Sequence, residues 1–390
     1  MVQAQATTSG RILDPRLAGI DDVFRENFVQ GLESAGASFA VYLNGNLVVD
    51  LWGGPMHKET GELWSENTSS VIFSVTKSIS ATILAMVMDK ENVPYERKLS
   101  EFWPEFAQNG KENVTIMNVV HHQAGLPYSD QTVTREDVLD WRKMSAYFEN
   151  AKPVWPPGTQ TGYHALTFGF LVDQIVRRID SQRRGLKEIL KDVTDTYGIA
   201  DLSIGLRQPS DNERVATLLY PGESEMEAEA RRNPEVLRRW NAGDNKYHKR
   251  LYETWPWITT DEYNLVENRV LPMPSNMGIG NARSLAHFHS LLAERKAFSD
   301  VFYKNFERPV LENEFDVVIG YEEHKGHGFQ FTLNPKGQWI FGHSGFGGQN
   351  VRVDLHNGLS YAYLCNGLKI SDADCVEPWR KLVDKLYSLL

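Results

Sequence analysis

Hydrophobic positions along the chain fall into two kinds of pattern, and the two occupy different stretches of sequence. Near the N-terminus, Ile20, Val23, Phe24 and Phe28 recur at helical spacing, which predicts a helix over Leu17–Leu32. Ser38–Leu43 and Asn46–Leu51 then read as strands separated by Asn44-Gly45, a pair suited to the positive φ of a tight hairpin. The same rhythm returns near the C-terminus. Gly328–Leu333, Gln338–His343, Asn350–Leu355 and Leu359–Cys365 read as strands, with turns at Asn334-Pro335-Lys336-Gly337 and His356-Asn357-Gly358. A last helix is predicted over Val376–Leu390. The middle is helical in pattern, as in Phe168–Ile179 and Gly185–Tyr197, and Glu223–Arg239 is charged and strand-poor. Sheet-forming ends around a helical middle predict an α/β fold of the α+β type, an antiparallel sheet flanked by helices. It would be built from residues 1–98 and 278–390, with a mainly helical domain at 99–277 inserted.

Composition narrows the function classes. The 390 residues are ample for a large core, and 41% hydrophobic with 24% charged residues is ordinary for a globular protein. No run of about 18 apolar residues occurs, so no spanning helix is expected. Met1–Gln5 is polar and lacks an apolar signal core, so a soluble cytoplasmic protein is expected. A net charge of −10 disfavours nucleic acid as a partner. Cys365 and Cys375 are the only cysteines, which makes neither a disulfide framework nor a zinc site; free thiols in a reducing compartment are expected. His121-His122 and His287-x-His289 lack a carboxylate at ligand spacing, so no metal and no organic cofactor is predicted.

Three segments carry candidate chemistry. Ile72-Phe73-Ser74-Val75-Thr76-Lys77 contains Ser-x-x-Lys at the start of a helical run. Residues three apart share a helix face, so Lys77 would stand beside the Ser74 hydroxyl. Serine is a weak nucleophile until something accepts its proton, and a buried lysine near a helix N-terminus is pushed toward neutrality. Gly162-Tyr163-His164-Ala165 follows the rigid Trp155-Pro156-Pro157-Gly158, and Tyr163 is placed to pass a proton to or from a leaving group if neighbouring cations favour its phenolate. His343-Ser344-Gly345-Phe346 ends a predicted strand, where a glycine lets substrate approach the backbone; one N–H here, with that of Ser74, would form an oxyanion hole.

The three motifs in this order resemble the serine β-lactamase and penicillin-binding-protein superfamily, particularly class C β-lactamases and the β-lactamase-like carboxylesterases. Phe102–Phe106, His122–Pro127, Asn276–Ala286 and Gly326–Phe329 also resemble family stretches, so the likeness runs from Phe39 to Asn366. It implies Ser74 as the acylated nucleophile, Lys77 as its activator and Tyr163 as the proton shuttle. His343, Ser344 and Gly345 would be the third motif, Phe346 would supply the second oxyanion N–H, and the site would lie between the two domains. Trp155 and His164 are candidate pocket residues.

Two departures from class C refine the expectation. Tyr163-His164-Ala165 has alanine where those enzymes carry asparagine, and His343 replaces the usual lysine, leaving a pH-dependent cation or none for a substrate carboxylate. The carboxylesterase branch fits better. The expected partner is a small-molecule ester or amide. The rival readings are an acyltransferase, a lactamase or D-Ala peptidase, and a catalytically idle, self-assembling scaffold.

Overall fold

A computed structural model describes residues 7–390, so Met1–Gln5, read above for a signal core, lie outside the described residues. Nine strands form one antiparallel sheet. They are β1 (Thr8–Ile12), β2 (Ala37–Leu43), β3 (Asn46–Gly53), β4 (Leu311–Asp316), β5 (Tyr321–Gly326), β6 (Phe329–Leu333), β7 (Trp339–Gly345), β8 (Gln349–Asp354) and β9 (Leu359–Cys365). Their spatial order is β1-β3-β2-β9-β8-β7-β6-β5-β4. The two ends of the chain meet where Ala40 of β2 faces Ala362 of β9, so the sheet is built from both termini as the pattern predicts. Asn44 and Gly45 take φ of 48° and 75°, the geometry the hairpin turn requires.

Three strands escape the sequence pattern. β1 and β4 form the sheet edges, and β5 lies beside β4. At the two edges, Thr-Ser-Gly-Arg-Ile and Leu-Glu-Asn-Glu-Phe-Asp carry the polar residues and charges that discourage edge-to-edge pairing, and Tyr-Glu-Glu-His-Lys-Gly of β5 likewise lacks a hydrophobic alternation.

Helices cover both faces. They are α1 (Ile20–Val29), α2 (Thr76–Lys90), α3 (Thr167–Ile179), α4 (Leu186–Tyr197), α5 (Glu223–Arg232), α6 (Pro234–Ala242), α7 (Lys246–Thr254), α8 (Ala282–Ala293) and α9 (Glu377–Leu389), besides the ten-residue helix Trp141–Asn150 and shorter turns. The first helix begins at Ile20 rather than Leu17 because Gly19, at φ 89°, separates it from a one-turn 3-10 segment at Pro15–Leu17. Phe24 of α1 and Trp379 of α9 pack with Phe39, Val41 and Tyr361 on one sheet face. On the other face Ile83 of α2 and Leu285 of α8 pack with Ala40, Val351 and Ala362. That same apolar cluster continues into Leu171 of α3, Leu186 of α4 and Trp255, so the sheet part and the helical part share one core. A small sheet of Leu202–Ile204, Gly278–Gly280 and Ser70–Val71 also joins them, just before the Ser74 turn. Among the described residues no helix is long and apolar enough to cross a membrane.

Candidate active site

Ser74 sits half-buried in the 3-10 turn Phe73–Val75 that leads into α2. Phe73 holds φ at +44°, an unfavourable left-handed conformation for an aromatic residue. Neighbouring contacts impose it. Thr76 Oγ1 donates to the Phe73 carbonyl at 2.6 Å and itself accepts from Gly278 N at 2.8 Å. The Phe73 ring lies 4.9 Å from that of Tyr263 and 5.6 Å from that of Phe346. Strain of this kind, about 1–3 kcal/mol, persists only where surrounding structure fixes it.

Lys77 is fully buried one turn along, with Nζ 3.0 Å from Ser74 Oγ. Its other close neighbours are two carbonyls, Ala165 O at 2.8 Å and Ser275 O at 3.0 Å. Both carbonyl segments are anchored: Ser275 Oγ donates to Leu166 O at 2.5 Å and accepts from Gly169 N at 2.7 Å. Burial pushes the Lys77 amine well below its ordinary value of 10.5. A neutral amine has two N–H groups for the two carbonyls and one lone pair for the Ser74 hydroxyl, so the cage matches the uncharged form.

Tyr163 arrives from the loop before α3, its ring centroid 4.7 Å from Lys77 Nζ. Burial pushes its phenol well above the ordinary value of 10.0; a hydrogen bond with Ser74 opposes that shift, and Glu323 and Asp316 add to it. The condition that neighbouring cations favour a phenolate is not met at rest: burial disfavours the charged forms of both Lys77 and Tyr163, which keeps Tyr163 a phenol. Its backbone is fixed by Asp316 Oδ1, which accepts from Tyr163 N at 2.9 Å. Asp316 is paired in turn with buried Lys325.

The third motif lies alongside on β7. A Cβ on Gly345 would sit 2.5 Å from the Ile72 carbonyl, so glycine is what lets this strand press against the Ser74 turn. Ser74, Tyr163, Ser344, Gly345 and Phe346 line one cleft of about 460 Å³. Its outer wall comes from α6, α7 and the segments 319–323 and 369–372, with Trp240, Tyr252 and Tyr321 among the lining side chains.

Three predicted site residues fall behind this cleft. His343 is 2% exposed, its Nδ1 is 2.6 Å from Ser344 O, and burial pushes its ring well below 6.5. It faces a small chamber lined also by His122, Lys325 and Phe329, and so is a ring held neutral behind Tyr163 rather than a cation for substrate. His164 accepts from Leu126 N at 3.0 Å through Nε2, which leaves the proton on Nδ1 for Gly162 O at 2.7 Å. Burial lowers its pKa to about 4. Trp155 packs on His164 and on Gly162, where a Cβ would meet its ring at 2.4 Å. Both residues shape the Tyr163 loop and do not line the cleft. The sequence reading missed Ser275, Asp316, Glu323, Lys325 and Gln330. The Ser275 contribution is partly a backbone carbonyl, which leaves no residue-type signal; Asp316, Glu323 and Lys325 lie on the charged strands β4 and β5, and Gln330 is a lone polar residue in the apolar strand β6.

The residues at 24–383 match the model of the Beta-lactamase family. A curated relative, "Esterase/beta-lactamase LipL" of Mycobacterium tuberculosis (strain ATCC 25618 / H37Rv), is 29% identical over 91% of this chain and 82% of its own. A family VIII carboxylesterase crystal structure superposes with a TM-score of 0.84 at 27% identity, covering 98% of this chain and 100% of that one. A penicillin-binding-protein homologue from Caulobacter crescentus gives 0.82 at 29% identity, with 98% and 100% covered. Fold and comparisons together define a serine hydrolase of β-lactamase-like architecture. The chain belongs to the Beta-lactamase family.

Proposed function

We propose that the protein is a carboxylesterase that works through an acyl-enzyme on Ser74. The observation that carries this reading is the Ser74–Lys77 pair: a half-buried hydroxyl 3.0 Å from a caged, desolvated amine, opening on a cleft of about 460 Å³. Neutral Lys77 accepts the Ser74 proton as Oγ attacks the ester carbonyl. The tetrahedral oxyanion is met by the backbone N–H groups of Ser74 and Phe346. Tyr163, a phenol at rest, gives its proton to the departing alkoxide, so the C–O bond breaks without releasing a bare anion. The acyl-enzyme then faces a Tyr163 phenolate and a Lys77 ammonium. Water adds to the acyl carbon as Tyr163 takes its proton, and Lys77 returns a proton to Ser74 as the acid leaves. One ester and one water become one acid and one alcohol, and both bases are restored.

The family VIII carboxylesterase neighbour supports an ester substrate, and the missing motif asparagine and the buried His343 argue against a lactam. The test is steady-state hydrolysis of p-nitrophenyl esters with Ser74→Ala as control. Turnover in the wild type and a loss of at least about 10³-fold in the variant are expected. Turnover that survives in the variant contradicts the reading. A competing alcohol measures how much acyl group passes to an acceptor other than water.

A further inference from the structure

Ser344 is the third-motif side chain that faces substrate, and its hydrogen-bonding direction is fixed from behind. Gln330 Oε1 on β6 is 2.8 Å from Ser344 N and 2.9 Å from Ser344 Oγ. A backbone N–H can only donate, so this atom of Gln330 must be the amide oxygen. That oxygen carries no proton, so the Ser344 hydroxyl must also donate to it. The Gln330 amide is held this way round by Glu323 on β5, whose Oε1 accepts from Gln330 Nε2 at 3.1 Å. Glu323 is itself kept in place by Lys325, with Nζ 3.1 Å from Oε2 as an ion pair. With its only proton committed backward, Ser344 offers the cleft lone pairs and no donor.

The nearby cations are likewise occupied. Arg239 pairs with Asp372 at 3.3 Å and with Glu235 at 2.9 Å, and Lys369 pairs with Glu33 at 2.9 Å. Lys325 is shared between Asp316 and Glu323, and His343 keeps its ring behind the cleft. Lys249, at the rim, lies 3.4 Å from Asp244. A carboxylate beside the reacting carbonyl would meet the Ser344 lone pairs and the Glu323 side chain.

We propose that Gln330, oriented by Glu323, makes Ser344 a hydrogen-bond acceptor toward substrate and so selects esters of uncharged acyl groups, excluding those with a free carboxylate near the scissile bond. This rests on the esterase reading and names its substrate class. Gln330 and Glu323 act here as positioning residues, through Ser344.

The test compares p-nitrophenyl pentanoate with mono-p-nitrophenyl glutarate, acyl chains of equal length that differ by one terminal carboxylate. The readout is the ratio of kcat/KM, anionic over neutral, which a general loss of activity does not move. The wild type should strongly prefer the pentanoate. Gln330→Leu frees the Ser344 proton and should raise the ratio at least fivefold, mostly through a lower KM for the glutarate. Glu323→Leu, which releases the Gln330 amide to turn over, should shift it the same way. Gln330→Glu keeps an acceptor and should leave the ratio at or below the wild-type value. A ratio unchanged within twofold in whichever leucine variant remains folded, or a wild type that accepts both esters equally, overturns the proposal. If the wild type hydrolyses neither ester, the esterase reading fails. The selectivity claim is then judged by calorimetric titration with glutarate, whose affinity should rise at least fivefold in Gln330→Leu.

Discussion

At the residue scale, catalysis depends on where protons rest. The Lys77 cage has two carbonyl acceptors and one hydroxyl, and burial disfavours the ammonium form. Activity therefore requires Lys77 to be deprotonated, and kcat/KM should rise with pH along a limb well below the ordinary lysine value of 10.5. A pH–rate profile checks this. Lys77→Arg puts a permanent cation where the neutral amine stood and cannot supply a lone pair at these pH values, so kcat/KM should drop by about 10³-fold throughout the range. Ser-x-x-Lys spacing was enough to pair Ser74 with Lys77. It could not place the carbonyls of Ala165 and Ser275, since backbone groups carry no residue signature. His343 and His164 were misplaced because sequence gives a residue its strand or loop but not the face on which its ring is buried.

At the element scale, close approach of backbones assembles the site. β7 can reach the Ser74 turn only because residue 345 lacks a Cβ, which would stand 2.5 Å from the Ile72 carbonyl. Gly345→Ala must therefore shift one backbone against the other. It should lower kcat by at least tenfold and reduce stability by about 1–3 kcal/mol, measured by kinetics and urea unfolding together. The glycine was visible in the sequence as a feature of the third motif. The segment that makes it necessary lies far away along the chain. The central strands and the terminal helix were legible because their faces alternate between a packed core and the opposite layer. β1, β4 and β5 were not, because polar side chains replace that alternation at and near the sheet edges.

At the scale of the whole molecule, the buried histidines make stability depend on pH. Burial lowers the pKa of His121 to about 3 and of His164, His289 and His327 to about 4, and pushes His122 and His343 well below 6.5. Below about pH 6.5 the unfolded chain takes up protons that the folded chain refuses. Stability is thus fully present above that pH and is lost as pH falls toward 4. Each such histidine contributes a slope of about 1.4 kcal/mol per pH unit once its unfolded form is protonated. Urea midpoints should fall steeply from pH 7 to pH 5, and His164→Gln should flatten the decline relative to wild type. The broad architecture was readable from the distribution of strand and helix patterns. The shared core was not, because it depends on which of many apolar residues meet across the sheet and helical parts.

The location of a covalent adduct tests most directly whether Ser74 is the nucleophile. The folded protein is incubated with a fluorophosphonate and its peptides are mapped by mass spectrometry, with Ser74→Ala in parallel. One phosphonyl group is expected on Ser74 and none on the folded variant. An unlabelled, folded wild type, or a label on another residue that persists in Ser74→Ala, would contradict Ser74 as the nucleophile.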